Sequence, residues 1–319
     1  GVRMGKSAYI FPGQGSQAVG MGKALAEAFA PARAVFAEVD EALGEKLSTL
    51  MFEGPEADLT LTANAQPALM AVSLAVTRVL EAEAGLDLAK AAKFVAGHSL
   101  GEYSALAAAG SFTLADTARL LRLRGQSMQK AVPVGQGAMA ALLGLDYDTG
   151  VAVARQAAEE SGGVCQIAND NGGGQVVASG SKAAVERAME IAKTKGAKRA
   201  MLLPVSAPFH CALMQPAADA MAEALAKVEI KAPKVPLVAN VVAGPVSDPA
   251  EIRKLLVEQV TGTVRWRESI AWMAGQGVTQ FIELGAGKVL AGLVKRIAEG
   301  ATGSSVGAPA DVEAFKARG

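Results

Sequence analysis

Aromatic side chains make up only 4% of this 319-residue chain, which also holds just two cysteines and two histidines. Cys165 and Cys211 are too few for a disulfide scaffold and have no metal-ligand spacing, so both are expected as buried free thiols in a reducing compartment. Charge of one sign is lacking as well: Lys+Arg and Asp+Glu stand at 31 each, which favours neither nucleic acid nor a membrane surface. No apolar run reaches spanning length, and the N-terminal region lacks a secretory leader's layout, so a cytoplasmic protein is expected. Gly1–Arg3 precede the first methionine, Met4, and are set aside. What the chain has in quantity is small and apolar: 51% hydrophobic residues and 35 glycines, enough for a large core in one big domain or two unequal ones.

The stretch with the sharpest chemistry runs from Phe94 to Tyr103, FVAGHSLGEY. An apolar run ends in Gly-x-Ser-x-Gly and a helix-favouring run follows at once, which reads as strand, tight turn and helix with Ser99 at the apex. Such a turn lifts the hydroxyl clear of the sheet and aims the Leu100 N–H, at the helix start, into the same space. The pattern alone is cheap, since chance supplies roughly 0.2 matches in a chain of this composition. A second match, Gly303-Ser304-Ser305-Val306-Gly307, has no apolar strand before it and no helix directly after it, and reads as a flexible loop in a loosely held tail.

Near the start, the apolar Ala8 to Phe11 is followed by Pro12-Gly13-Gln14-Gly15-Ser16-Gln17. The glycines fit a dinucleotide fingerprint in form, but Arg33 to Leu43 reads as a helix where that fingerprint requires a second strand ending in an acid. What survives is a loop at the carboxyl end of a first strand, with Gln14 as the polar side chain on offer and a candidate second oxyanion donor. Asn64 to Leu80 reads as a long helix, and Thr113 as the cap of another from Leu114 to about Gln129. On the latter, Arg119 and Arg122 have polar neighbours, whereas Arg124 falls on the apolar stripe with Leu120, Leu121 and Met128. A buried cation needs a partner, either an internal carboxylate or the carboxylate of a ligand held by a bidentate fork.

Between Gln136 and Ser206 the texture changes. Strand, helix, two strands joined through Asn169-Asp170-Asn171-Gly172-Gly173-Gly174, helix and strand follow in the order βαββαβ, the ferredoxin-like pattern. The expected division is 4–132 and 207–319 for a large α/β subdomain and 133–206 for an inserted small one. Of the two histidines, His98 adjoins Ser99 where side chains diverge, which suits a structural or supporting role. His210 lies in a loop between strand and helix and is the remaining candidate for general base. No acid stands where a triad would need it, and the Ser-then-His order with a long chain beyond fits a plain esterase poorly.

Several of these motifs together resemble the bacterial malonyl-CoA:acyl carrier protein transacylase family: FPGQGSQ at Phe11–Gln17, GHSLGEY at Gly97–Tyr103, Arg124-Gly125 with Met128-Gln129, NGGGQVV at Asn171–Val177, Pro204-Val205-Ser206 with His210, and Glu283-Leu284-Gly285. They occur in the family's order along nearly the whole chain. The resemblance implies a hydrolase-like α/β core with a mostly parallel sheet, interrupted by a ferredoxin-like subdomain. It implies Ser99 as acylated nucleophile, His210 as its base, Gln259 as the residue orienting the histidine, and Gln14 with the Leu100 N–H as oxyanion hole. Arg124 would hold the malonyl carboxylate, and Asn169 would face the cleft. Phe209 departs from the serine of many bacterial members and matches malonyl-selective domains of polyketide synthases; it would narrow the room for an α-methyl branch, with core packing as the alternative.

The activity so implied is ping-pong transfer of malonyl from coenzyme A to the phosphopantetheine thiol of acyl carrier protein, in fatty-acid biosynthesis, with no cofactor and no metal. The expected partners are malonyl-CoA and an acidic carrier protein, with no nucleic acid and no membrane, and the expected state is a monomer. Lys193, Lys195, Lys198 and Arg199 form the candidate basic docking patch, with plain cations at a helix C-terminus as the alternative. Loading of a polyketide synthase, a serine thioesterase on the same elbow, and a non-catalytic carrier-docking module are the competing readings.

Overall fold

In the computed structural model, which describes residues 6–205 and 207–318, every residue of β1 (Ser7–Phe11) is buried. Successive side chains of a strand point to opposite faces: Tyr9 and Phe11 pack into one apolar cluster, and Ala8 and Ile10 into another. A strand covered on both faces belongs in the middle of a layered α/β sheet, and the rest of the chain supplies the layers. After β1 come α1 (Lys23–Ala28), α2 (Ala30–Leu43), α3 (Leu47–Glu53), α4 (Glu56–Thr60) and the long α5 (Thr62–Ala84). A short α6 (Leu88–Ala91) leads into β2 (Phe94–Gly97), α7 (Gly101–Ala108) and α8 (Leu114–Lys130). Then follow β3 (Gly137–Leu143), α9 (Tyr147–Ser161), β4 (Cys165–Asp170), β5 (Gln175–Ser181), α10 (Lys182–Thr194) and β6 (Arg199–Leu202). The last part holds α11 (Gln215–Ala226), β7 (Leu237–Ala239), β8 (Gly244–Val246), α12 (Pro249–Thr261), α13 (Trp266–Gly275), β9 (Gln280–Leu284), α14 (Val289–Ile297), β10 (Thr302–Val306) and α15 (Pro309–Ala317).

The large sheet has the order β10-β9-β1-β2-β7-β8 and is parallel except for the terminal β7–β8 pair. Its strands come from both ends of the chain. The small sheet, β4-β5-β3-β6, is antiparallel throughout and drawn wholly from Gly137 to Leu202. It has its own core, with α9 and α10 packed through Val153, Ala157, Val185 and Ile191. Val264, which follows α12, ties the two together by main-chain hydrogen bonds with Ala168 and Asp170 of β4. Ser206, the end of the Pro204–Ser206 motif and of the expected small subdomain, lies outside the described residues. No helix among the described residues is long and apolar enough to cross a membrane.

Helix α5 is buried over most of its circumference, as a helix between layers must be. It starts two residues earlier than the sequence suggests, which moves Pro67 from the first turn into the helix interior. Proline there leaves the Ala63 carbonyl without its helical donor. Arg122 supplies the missing one: Nη1 donates to Ala63 O and to Asn64 Oδ1, both at 2.6 Å, and the guanidinium also pairs with Glu45. Arg122 is therefore a strut between α8 and α5, not the solvated residue its polar neighbours suggest. Arg119 does stay on a solvated face, paired with Asp116. Thr113 caps α8 as expected, accepting from the Asp116 N–H at 3.1 Å.

The segment after Gly300 is also different from expectation. It forms β10, the parallel edge strand beside β9, and then α15, which buries Val312 and Phe315. The second Gly-x-Ser-x-Gly match is thus a strand. Its small residues fit because α14 passes over it: a side chain at Gly303 would meet the Ala291 carbonyl oxygen at 2.3 Å.

Candidate active site

Strand β2 ends at Gly97 and α7 begins at Gly101, so the chain reverses within three residues. A side chain at Gly101 would come within 2.3 Å of the Phe11 carbonyl oxygen, and one at Gly97 within 1.9 Å of the Gly101 carbonyl. Only glycine permits that closeness. Ser99 at the apex has φ 56°, a left-handed conformation that L residues adopt rarely and only when their surroundings hold them. Here both of its peptide groups are held from far along the chain. The Ser99 N–H donates to Asn240 Oδ1 at 2.9 Å, and Gln259 Nε2 donates to the Ser99 carbonyl at 2.9 Å. Asn240, at the end of β7, also donates through Nδ2 to the Gly97 carbonyl at 2.8 Å, and its own N–H is taken by the buried Glu102 carboxyl.

His210 comes to the serine from the other side of the insertion. Its φ is 55°, and Nε2 lies 2.7 Å from Ser99 Oγ. Nδ1 faces two main-chain carbonyls, Gln259 O at 2.8 Å and Gly262 O at 3.1 Å, so it must carry the proton. That leaves Nε2 bare, the tautomer that can accept from Ser99. The carbonyls at the end of α12 thus stand where a triad acid would. Burial, joined by the positive Arg124, pushes the His210 pKa down to about 3, so the imidazole is neutral. His98 points away from the serine: Nε2 donates to Asn171 Oδ1 at 2.8 Å and the ring packs on Trp266. Burial lowers its pKa too.

Arg124 is 1% exposed, yet no carboxylate lies within ion-pair distance of it among the described residues. Nη1 donates to Gln66 Oε1 at 2.7 Å; Nη2 donates to Gln259 Oε1 at 2.7 Å and to Ser99 Oγ at 3.1 Å; the buried Nε–H has no acceptor. The guanidinium also sits over the Tyr103 ring. The buried Glu102 acts on Arg124 through its charge without touching it. Burial raises its pKa to about 8 against the pull of Asn240, Gln259 and Arg124, so it is largely uncharged at neutral pH. A buried guanidinium with an unpaired donor beside a nucleophile is a carboxylate receptor in waiting.

These groups open into one cavity of about 580 Å³ lined by Gln14, Ser99, Leu100, Arg124, Asn169, Phe209 and His210, with Met128, Met139, Leu203 and Val205 as apolar wall. Every site residue expected from the sequence reaches it or, like Gln259, braces it. The Leu100 N–H donates to no acceptor among the described residues, and Asn169 Oδ1 is buried without a partner. Asn240, Glu102 and Gln66 are the functional neighbours that sequence reasoning passed over. Asn240 had a signal, being a polar residue at the carboxyl end of an apolar strand, where α/β sheets gather their sites.

The acyl transferase domain family matches residues 8–309. A malonyl CoA-acyl carrier protein transacylase of Bacillus subtilis is 49% identical over 294 residues, covering 92% of this chain and 91% of that protein. Among solved structures, an acyl-carrier-protein-S-malonyltransferase from Bartonella henselae is 62% identical with a TM-score of 0.94, covering 97% of this chain and 98% of that one. A malonyl-transacylase solved in complex with a type II PKS acyl-carrier protein is 43% identical with a TM-score of 0.93, covering 98% of this chain and all of that one.

Proposed function

Because this chain belongs to the acyl transferase domain family, we propose that it carries malonyl groups from malonyl-CoA to the phosphopantetheine thiol of an acyl carrier protein, in fatty-acid biosynthesis. It is an acyltransferase, an acyl-carrier-protein S-malonyltransferase. The observation that carries this reading is a serine hydrogen-bonded at once to a neutral histidine and to a buried arginine that lacks a carboxylate.

In the first half-reaction His210 Nε2 takes the Ser99 proton as Oγ attacks the thioester carbonyl. The oxyanion is met by the Leu100 N–H and Gln14. Collapse breaks the C–S bond, and the imidazolium returns its proton to the departing coenzyme A sulfur, leaving a malonyl-Ser99 ester. The carrier's thiol then gives its proton to His210, attacks the ester, and takes the malonyl group as Ser99 recovers the proton. Gln259 holds His210 with its carbonyl and Arg124 with its side chain. Arg124 grips the free carboxylate, Asn169 faces the acyl-pantetheine arm, and Phe209, buried on the cavity wall, crowds an α-methyl branch. Proton transfer and oxyanion stabilisation suffice for this chemistry, which takes no cofactor. Replacing Phe209 with serine should raise turnover of methylmalonyl-CoA relative to malonyl-CoA by about tenfold; an unchanged ratio leaves Phe209 as packing.

The small sheet has the strand order and all-antiparallel pairing of a ferredoxin-like subdomain, with both helices in its core. That supports reading 133–206 as an insertion between 4–132 and 207–319. One chain supplies the whole cleft, which favours a monomer, and its two buried free thiols fit the cytoplasm. Incubation with labelled malonyl-CoA and peptide mapping tests the function: a malonyl adduct on Ser99, discharged by holo carrier protein faster than by water, is expected. Hydrolysis outrunning transfer would identify a thioesterase.

A further inference from the structure

A trans peptide points its N–H and its carbonyl in opposite directions, so holding one aims the other. At the serine turn that hold comes from Asn240, which follows β7 and is 0% exposed. Strands β2 and β7 pair only at Val95 and Leu237, and beyond that point the contact passes to the Asn240 side chain. Its Nδ2 donates to the Gly97 carbonyl at 2.8 Å and its Oδ1 accepts from the Ser99 N–H at 2.9 Å, so one amide spans the turn on both sides of His98. The same Oδ1 accepts from Gln259 Nε2 at 3.2 Å, and that nitrogen also donates to the Ser99 carbonyl at 2.9 Å. The Leu100 N–H, on the opposite edge of the Ser99–Leu100 peptide, is thereby turned away from Gln259, and Leu100 lines the cavity.

We propose that Asn240 is a positioning residue for the nucleophile: its side-chain amide clamps the left-handed Ser99 so that the hydroxyl stays in line with His210 and the Leu100 N–H stays turned to the cleft. This deepens the malonyl-transfer reading and rests on it. A serine with φ 56° keeps that conformation only while its surroundings over-determine it, and relaxation would carry Oγ off His210 Nε2, 2.7 Å away. The clamp is itself fixed at its main chain. The Asn240 N–H goes to the Glu102 carboxyl on α7, and its carbonyl accepts from the Arg265 N–H at 3.0 Å, just before α13. The residue type follows from the partners. Gly97 presents a carbonyl and needs a donor, Ser99 presents an N–H and needs an acceptor, and an amide brings one of each. No exposed surface remains at Asn240, so bulk water does not replace a lost partner.

The test is single-turnover acylation of Ser99 by malonyl-CoA and by acetyl-CoA. Asn240→Ala should slow acylation by about 30-fold or more. The apparent affinity for malonyl-CoA should stay within about threefold, because Arg124 keeps its hold. The two thioesters should lose rate by factors that agree within about threefold, since the clamp acts on the serine and not on the acyl carboxylate. Asn240→Asp gives a second reading. Ionised, the new carboxyl sets an oxygen against the Gly97 carbonyl; protonated, it offers an O–H to Gly97 and an oxygen to the Ser99 N–H, as the amide does. Its neighbours are the buried Glu102 on α7, His210 beside Ser99, Arg124 on α8 through Gln259, and Arg265, whose Nη1 donates to the Val241 carbonyl. The parent, measured alongside, carries all of those groups. Burial beside Glu102 raises the new carboxyl's pKa, so acylation by this variant should rise about tenfold or more between about pH 8 and 5.5 relative to the parent. Asn240→Ser stands in if the alanine variant is unfolded. A parental rate in the alanine or serine variant, an affinity that falls with the rate, a changed malonyl-to-acetyl ratio, or no rise for Asn240→Asp would overturn the proposal. A parent enzyme that forms no malonyl-Ser99 ester fails the functional reading before any variant is compared.

Discussion

At Arg124 a positive charge is sealed inside the protein with one N–H unpaired, which on the proposed reading the acyl chain's carboxylate completes. Acetyl-CoA, which lacks that carboxylate, leaves the cation as it is. Arg124→Ala should therefore cost malonyl transfer about 10³-fold and acetyl transfer less than about tenfold, read as kcat/KM for the two thioesters. Equal losses would remove Arg124 from substrate recognition. His210 gives a second expectation. As the proposed base it would work as neutral imidazole, and burial with the nearby Arg124 charge holds its pKa down at about 3. The acid limb of kcat/KM should then lie well below pH 6.5, with acylation nearly flat from about pH 8 to 5. Stability behaves oppositely. An unfolded imidazole takes up a proton near pH 6.5 while the folded one resists, so the unfolded state binds more protons in the window between, and stability falls as pH drops through it. The raised pKa of Glu102 works the other way over the same range, so the His210 contribution is read as the smaller loss of Tm from pH 7.5 to 5.5 in His210→Ala than in the parent. A limb at pH 6.5 would mean that water reaches the base.

Among elements, the turn from β2 into α7 is the least tolerant. Gly101→Ala sets a methyl against the Phe11 carbonyl, and neither β1 nor α7 can move away, since β1 lies between β9 and β2. A loss of about 3 kcal/mol or more is expected, seen as a large drop in the urea midpoint. A small drop would show the elbow to be softer than its packing implies. This element was plain in the sequence because its constraints are local: glycines at the two contacts, apolar residues before them, helix formers after. Thr113 and the βαββαβ segment were legible for the same reason. β10 and α15 were not. The sequence Thr302–Val306 has little apolar content of its own, and it is a strand because β9 offers an open edge and α14 passes overhead. Asn240 was missed in the same way, since its role exists only once β7 lies beside β2. Arg122 looked solvated because helical neighbours say nothing of a carbonyl freed by a proline on another helix.

At the scale of the molecule, the cleft is shared between the two sheets, with Ser99 and His210 on the large one and Asn169, Met139 and Leu203 from the small one or its edge. A carrier delivering its thiol has to meet both. Strand β6 leads from the exposed Arg199 to Leu203 on the cavity wall, which puts Lys198 and Arg199 one strand's length from the opening, with Lys193 and Lys195 at the C-terminal end of α10. Glutamates at Lys195 and Lys198 should raise KM for the carrier protein by about tenfold and leave that for malonyl-CoA within about twofold. If neither constant moves, the cations only cap α10.

The interrupted large sheet has a consequence during synthesis. Of its five strand pairings, only β1 with β2 lies within the residues that precede the small sheet; β9, β10, β7 and β8 come after it. When the ribosome has made the serine, its strand has one neighbour and an open flank, and the histidine is still untranslated. The small sheet can close on its own contacts while the nascent large one waits, with two apolar edges exposed to chaperones. During synthesis Ser99 and His210 can therefore meet only after the small sheet has been made, and a chain released before residue 210 holds the serine without its histidine.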